Sequence, residues 1–159
     1  MANNALDQKI AHLQMIQGVI GRMASDAQNL KTLAIAVAAA IIALGQTAGG
    51  ITPWLAVVGT FPIVIFWWLN ARYLHIERAY RHLYDLVRTD QPVEAFLMDW
   101  RSYRTAVASP LKIAFTQSVL FPYAAVIMIL LLIASFAWGG ASDKNGANVD
   151  GRPISRQVQ

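Results

Sequence analysis

Three long apolar stretches, separated by polar segments, dominate the pattern along the chain. They cover about 32–46, 52–69 and 113–138. No Lys, Arg, Asp, Glu or His occurs between Lys31 and Arg72, and those forty residues are enough for two helices of about 20 residues joined by a tight turn. The pattern therefore predicts an all-α integral membrane protein with three transmembrane helices.

The polar segments complete a predicted division into five parts. An N-terminal amphipathic helix occupies 1–31, and a transmembrane hairpin of two spans occupies 32–69. A cytoplasmic helical segment follows at 70–112, and the third transmembrane helix lies at 113–138. Ser109 and Pro110 are typical of a helix start, whereas Gly139 and Gly140 are expected to end the third span. The remainder, 139–159, is rich in Asp, Asn, Gly and Ser without apolar periodicity, which predicts disorder.

The N-terminal part has apolar residues at spacings of three and four, the pattern of one helix face. The stripe consists of Leu6, Ile10, Leu13, Ile16, Ile20 and Met23. Such a helix either lies passively in the membrane interface, or packs against copies of itself and assembles into or covers a pore. Gly18 and Gly21 each cost about 1 kcal/mol in a helix interior, which indicates a bend or a close helix contact.

The second span is expected to continue into the cytoplasm as one helix to Arg88. Its alternating spacing of four and three predicts a packing seam. The seam consists of Leu69, Tyr73, Ile76, Tyr80, Leu83 and Val87. Opposite charges spaced for ion pairs are expected on the outside of this helix, at Glu77, Arg81, Asp85 and Arg88. Beyond Pro92, a short helix is predicted whose aromatic face includes Phe96 and Trp100.

Composition excludes several classes of function. The mean hydropathy is +0.41, and only 14% of the residues are charged, against roughly 25% in soluble domains. The chain has no cysteine, and its three histidines, His12, His75 and His82, lack zinc-site spacing. No phosphate-binding loop, dinucleotide motif or nucleophile elbow is present. We therefore expect no enzyme, cofactor or metal, and the spans lack the ionisable residues that ion-coupled transporters normally need.

The distribution of basic residues predicts the orientation. Ten of the thirteen Lys and Arg residues precede the first span or lie between the second and third. The positive-inside rule then places the N-terminus in the cytoplasm and the C-terminus on the opposite side. Trp54 and Trp138 are expected at the outer interface, and Trp67 and Trp68 at the inner one.

The cytoplasmic arginines also suggest a ligand. Residues 70–112 contain seven basic and five acidic residues. After internal pairing, the candidates for contact with a phosphate-bearing ligand are Arg72, Arg78, Arg101 and Arg104. Arginine suits this task because its guanidinium binds phosphate in a bidentate manner. The alternative is that these charges only anchor the chain to the inner membrane surface.

Two blocks of sequence carry a family resemblance. They are LNARYLHIERAYRHLYDLVR at 69–88 and LQMIQGVIGRMA at 13–24. Both resemble small bacterial membrane proteins that act as effectors in antiphage defence, in particular the membrane effectors of the Hailong system. The resemblance implies a homo-oligomeric ion channel of the inner membrane, with a tetramer favoured. A nucleotide or DNA oligomer from a partner nucleotidyltransferase would hold it closed or gate it.

The resemblance also implies a role for the N-terminal stripe, which would be the gate of this channel. Its opening would depolarise the infected cell and arrest growth. Two other functions stay open at this point. The chain is alternatively a membrane-anchored scaffold or regulatory subunit that docks a cytoplasmic partner through 70–108, or, more remotely, a small transporter subunit.

Overall fold

The structure is a computed structural model that describes the backbone of residues 2–47 and 53–147 and the side chains of 4–45 and 57–135. Its elements are α1 (Ala2–Thr47), α2 (Pro53–Arg88), a 3₁₀ helix (Trp100–Tyr103), α3 (Pro110–Ala114) and α4 (Gln117–Ala147). No strand occurs in the described ranges, which confirms the all-α prediction.

Three of these helices are long and apolar enough to cross a membrane. The apolar windows lie within Asn4–Gly45 of α1, Val57–Arg88 of α2 and Gln117–Ser135 of α4, and their mean hydropathies are 1.7, 1.3 and 2.4. The prediction of three helices with the length and composition of membrane spans is confirmed. Trp54 and Trp138 lie outside the residues whose side chains are described.

Helix α1 joins two elements that the sequence pattern separates. The predicted amphipathic helix at 1–31 and the first span form one helix from Ala2 to Thr47. The reason is that neither Gly nor Pro occurs between Met23 and Leu44, so nothing in this stretch ends the helix. The polar half of α1 therefore extends from the span as the same rod instead of forming a separate interfacial helix.

The polar halves of α1 and α2 pack against each other in antiparallel fashion. Ile16 is completely buried in a cluster with Leu83 and Val87, and Leu13 and Ile20 pack against its edge. The amphipathic face of α1 is thus covered in large part by α2 of the same chain. Burial against α2 accounts for the apolar residues in the middle of this segment, at Leu13, Ile16 and Ile20.

The apolar halves of the helices meet in a second cluster. Ala34, Ala38 and Ile41 of α1 pack with Ile63 of α2, and Tyr123 and Leu130 contribute from α4. Gly59 permits close approach here, since a Cβ atom at this position would lie 3.2 Å from Cγ1 of Ile41 and 3.3 Å from Cγ2.

Of the two alternatives for Gly18 and Gly21, a bend or a close helix contact, the structure shows no close contact within the described part of the chain. A Cβ atom at either position would have nothing within 4 Å. The close glycine contact of the hairpin is at Gly59 instead, within the apolar half of α2.

The buried positions of α2 differ from the predicted seam. Leu83 and Val87 are buried as expected, but Leu69 is 38% exposed. The buried positions instead continue upstream at intervals of four, through Ala79, His75, Ala71, the half-buried Trp67 and Ile63. Rows of residues four apart form the ridges of ordinary helix packing, and α2 uses such a row because it contacts both α1 and the elements after residue 99.

The third span is interrupted and extends further than predicted. Ser109 caps α3, accepting a hydrogen bond from the Lys112 amide at 3.4 Å, and Pro110 is the first helical residue, as expected. Helix α3 ends at Ala114, however, and α4 begins at Gln117. The Thr116 hydroxyl donates to the Ile113 carbonyl at 2.6 Å, and this local hydrogen bond competes with continuation of the helix.

The end of α4 also corrects the predicted tail. Gly139 and Gly140 do not stop the helix, which continues to Ala147. Residues 139–147 of the tail that the sequence predicts as disordered are therefore helical. The remaining residues, 148–159, lie outside the described part of the chain.

Candidate anion-binding site

The segment between α2 and α3, residues 89–109, is fixed to the helices by hydrogen bonds from ring side chains to backbone carbonyls. From α2, the His75 Nδ1 atom lies 2.9 Å from the Ala108 oxygen, and the Tyr80 hydroxyl donates to the Met98 oxygen at 3.1 Å. From α1, His12 Nε2 lies 2.9 Å from the Leu97 oxygen. Because a carbonyl oxygen only accepts, each of these imidazole nitrogens carries its proton.

This connecting segment contains less helix than predicted. The short helix predicted beyond Pro92 is limited to the 3₁₀ helix Trp100–Tyr103. Phe96 adopts a φ of 60°, a left-handed conformation that costs a non-glycine residue energy and does not continue a right-handed helix. Burial, and then the nearby Asp99 carboxylate, raise the pKa of Tyr80, while the positive charge of Arg22 lowers it.

An open cavity of about 650 Å³ lies between α2 and the second half of the connecting segment. Arg72, Arg101 and Arg104 line it together. Asp99 positions the 3₁₀ helix by accepting a hydrogen bond from the Arg101 amide at 3.0 Å, and this helix supplies Arg101. The remaining lining residues are His75, Trp100, Thr105, Val107, Ser109 and Pro110.

Arg78, the fourth arginine of the predicted ligand set, does not line this cavity. It lies six residues beyond Arg72 on α2, which at 100° per residue is about 240° around the helix. The predicted set thus divides into three arginines that share a cavity and one that is placed elsewhere.

Among the described side chains, the cavity arginines have no carboxylate partner. The ion pairs among the described side chains join Lys9 to Asp90 at 2.7 Å, Arg81 to Glu77 at 2.7 Å and Arg88 to Asp85 at 3.4 Å. No Asp or Glu lines the cavity either. Three uncompensated guanidinium groups give the cavity a positive potential, the property required of a site for phosphate or another anion.

One of these pairs corrects the predicted charge ladder. Glu77 was expected on the outside of α2, but the residue is only 5% exposed. Its carboxylate accepts a hydrogen bond from Nε of Arg81 at 2.8 Å and forms an ion pair with Nη2 of the same residue at 2.7 Å. The ladder therefore includes a buried carboxylate whose charge is compensated by a single partner.

The cavity lies just beyond the apolar part of α2. Arg72 follows Trp68 by four residues, or about 6 Å along the helix axis. The indole of Trp67 donates to the Ala114 carbonyl at 3.0 Å, and this bond fixes α3 against α2 beside the cavity. The edge of the Trp100 ring faces His75, with ring centroids 6.2 Å apart.

The predicted gate residues fall into two groups. Ile16 is buried, and Leu13, Ile20 and Met23 are partly buried. Leu6 and Ile10, nearer the N-terminus, remain 57% and 44% exposed. The stripe thus provides a packed middle and an exposed apolar end.

Lys9 attaches this N-terminal end to α2. Its ammonium group binds the Asp90 carboxylate and also donates to the Arg88 carbonyl at 3.1 Å. Sequence reasoning missed this attachment, and it missed the part of His75 and Trp100 in the cavity. Their aromatic character was visible in the sequence, but their partners are distant along the chain. No group of His, Asp and Glu in the described part of the chain is suited to hold a metal ion.

Comparison with known proteins does not assign the chain to a family. No protein-family model matches it, and no curated protein or solved structure is significantly similar to it.

Proposed function

We propose that the chain is the subunit of a homo-oligomeric ion channel of the bacterial inner membrane, controlled by a phosphate-bearing ligand in the basic cavity. The observation that carries the proposal is the convergence of three unpaired arginines on α2 and the adjoining segment. The N-terminus is cytoplasmic and the C-terminus periplasmic, as the basic residues indicate. By resemblance, the ligand is a nucleotide or DNA oligomer made by a partner nucleotidyltransferase, and the assembly is a tetramer that acts in antiphage defence.

The continuity of α1 and α2 supports a mechanical link between the cavity and the spans. Arg72 belongs to the same helix as Ile63, which packs in the apolar cluster with Ile41 of α1. A ligand that pulls Arg72 towards Arg101 and Arg104 therefore acts directly on the second span. Binding shifts the equilibrium between closed and open states if it favours one arrangement over the other.

The surface of the spans supports association with further copies. Ala36, Ala40 and Ala43 form an exposed face of small residues on α1, and small residues allow close approach of helices in membranes. Large apolar side chains such as Phe121, which is 76% exposed, cover other faces. A narrow helix–helix contact along α1, with lipid against the bulky faces, is consistent with an oligomer.

The exposed end of the N-terminal stripe supports its proposed part in the gate. Leu6 and Ile10 present apolar surface that α2 does not cover. In an oligomer, such residues from several copies form a hydrophobic constriction, which stops ions by excluding water.

Replacing Leu6 and Ile10 together by Asp tests this function. Hydrating the constriction should raise the basal conductance of purified protein in a planar bilayer several-fold. Met15→Asp is the matched control, because Met15 is 49% exposed on the same helix but does not belong to the stripe. A well-folded oligomer that gives a silent bilayer would contradict the channel, and equal effects of both changes would contradict the gate.

A membrane-anchored scaffold is the second candidate. The observation that favours it is Phe96, which is held in a left-handed conformation and is 45% exposed on the connecting segment. A scaffold should retain a cytoplasmic partner in a pull-down through 70–108, and Phe96→Ser should abolish the retention. Overexpression of a scaffold alone should leave the membrane potential unchanged.

A further inference from the structure

We infer that the basic cavity binds the phosphate group of an anionic phospholipid from the inner leaflet, whose acyl chains follow an apolar groove between α2 and α4. The inference rests on the membrane placement in the proposed function, but it does not require ion conduction. It adds a regulator of the same site, since a lipid phosphate and a soluble phosphate ligand would compete for the same arginines.

The position of the cavity favours a headgroup. It opens about 6 Å beyond Trp68 along α2, and Trp residues are typical of the interface between hydrocarbon and headgroups. Arg72, Arg101 and Arg104 therefore lie at the depth at which lipid phosphates are found. Basic pockets beside membrane helices on the cytoplasmic side are suited to anionic headgroups, and the three guanidinium groups lack a carboxylate partner among the described residues.

A second cavity provides the apolar half of the site. It measures about 560 Å³ and is formed between α2 and α4, with Val64 and Trp67 on one side and Leu120, Ala124 and Met128 on the other. Its lining includes no charged residue. A groove of this kind, open along the membrane-spanning part of two helices, accommodates a hydrocarbon chain.

The two cavities follow one another along α2. At 100° per residue, the mean direction of Val64 and Trp67 differs from that of Arg72 and His75 by about 80°, so the second cavity lies a quarter of a turn around the helix from the first. The apolar and basic pairs are about 12 Å apart along the axis. Helix α3 packs between the cavities, and Leu111 next to its start is 58% exposed, which adds apolar surface along the path.

The succession of an apolar and a basic cavity along α2 distinguishes a lipid from a soluble ligand. A nucleotide or inorganic phosphate satisfies the arginines but leaves the apolar groove to other molecules. A phospholipid matches both parts in the order in which the membrane presents them, with its phosphate at the interface and its chains below. The combination of the two cavities, and not the arginines alone, therefore favours the lipid.

Native mass spectrometry of the full-length protein in neutral detergent tests the inference. Phosphatidylglycerol and phosphatidylcholine with identical acyl chains are offered in equal parts. The wild type should retain phosphatidylglycerol with a preference of about tenfold, as expected for charge-assisted hydrogen bonds to phosphate. Arg72→Gln combined with Arg104→Gln should remove most of that preference.

The matched control is Arg78→Gln combined with Arg88→Gln. This variant also loses two positive charges, so its net charge equals that of the test variant. Neither Arg78 nor Arg88 lines the cavity. It should keep the preference of the wild type. An equal loss in both double variants would show only a diffuse attraction of charge, and would overturn the site.

A third variant tests the groove. Ala124→Phe fills the apolar cavity without changing the arginines, so it should weaken retention of phosphatidylglycerol several-fold. Binding of inorganic phosphate and of a short DNA oligonucleotide, measured in the same detergent, should stay unchanged. If Ala124→Phe leaves lipid retention unaltered, or if the oligonucleotide requires Arg72 and Arg104 while phosphatidylglycerol shows no preference, the lipid inference is overturned.

The outcome is separable from that of the channel. A silent planar bilayer together with an intact preference for phosphatidylglycerol would overturn the channel alone. Normal conductance together with equal retention of the two lipids would overturn the lipid site alone.

Discussion

At the scale of single residues, the buried charge of Glu77 is compensated by one residue, Arg81. Its side chain is 7% exposed, and both contacts of its Oε1 atom come from Arg81, whose own side chain is 61% exposed. A buried carboxylate without a partner is costly, and the exposed end of Arg81 is bound to the carboxylate instead of being free in water. The pair therefore stabilises α2 mainly by avoiding an uncompensated charge.

We expect Arg81→Met to lower the free energy of unfolding by about 1–3 kcal/mol, since it leaves the buried carboxylate unpaired. In a Glu77→Gln background the same change should cost much less. Chemical unfolding in detergent micelles, followed by circular dichroism, gives the coupling between the two sites. Losses that simply add would show that Glu77 does not depend on Arg81.

The arginines illustrate what residue types reveal about a site. Guanidinium chemistry and the excess of positive charge pointed to four candidates, and three of them line the cavity. Arg78 does not line the cavity. It was a candidate because of its charge, and the charge of a residue does not indicate on which side of its helix the residue lies. His75 and Trp100 were not expected in the site, since their contribution depends on contacts between segments far apart in sequence.

At the scale of elements, apolar periodicity predicted the presence of the long helices more accurately than the residues at which they begin and end. The length of the apolar stretches indicated three helices long enough to span a membrane, but the glycines that were expected to end the third span do not end the helix. Gly139 and Gly140 lie within α4, because the cost of about 1 kcal/mol for each glycine does not end a helix by itself. The interruption at Thr116 arises from a side-chain hydrogen bond that apolar periodicity does not reveal.

Two glycine substitutions separate packing from helix propensity. Gly59→Ala should destabilise the α1–α2 hairpin by about 1–3 kcal/mol, because the new methyl group forces the Ile41 side chain to move. Gly18→Ala is the matched control and should stabilise α1 by up to about 1 kcal/mol, since its surroundings are open. Thermal unfolding of both variants in the same micelles checks the opposite signs. Two shifts of the same sign would contradict the close contact at Gly59.

At the scale of the whole molecule, several contacts join the polar halves of α1 and α2. Ile16 packs between Leu83 and Val87, and Lys9 binds Asp90 near the far end of α2. The connecting segment is tied to the same helices through His12 and Tyr80. The proposed gating by the N-terminal part of α1 would therefore require either that α1 and α2 separate here, or that they move together as one unit.

A cross-link distinguishes these motions. The chain has no native cysteine, so Ile16→Cys combined with Leu83→Cys can be joined by oxidation or a short thiol-specific reagent without side reactions. If α1 and α2 move as one unit, which the continuous cluster favours, ligand-dependent changes in conductance should persist after cross-linking. Loss of gating that reduction restores would show that the helices separate. A variant with cysteines in place of Met15 and Arg88, which are both exposed, is the control for effects of the reagent that do not depend on joining Ile16 to Leu83.

The unbroken length of α1 has a mechanical consequence. From Lys31 to Asn4 the helix extends about 40 Å beyond its apolar half, and in the proposed orientation this part of α1 is a rigid arm that begins at the inner membrane surface. A tilt of about 5° within the bilayer displaces the tip by about 3.5 Å, a large part of one helical turn. Movements too small to see among the packed spans are amplified at Leu6, and a spectroscopic label there reports the state of the membrane helices from outside the membrane.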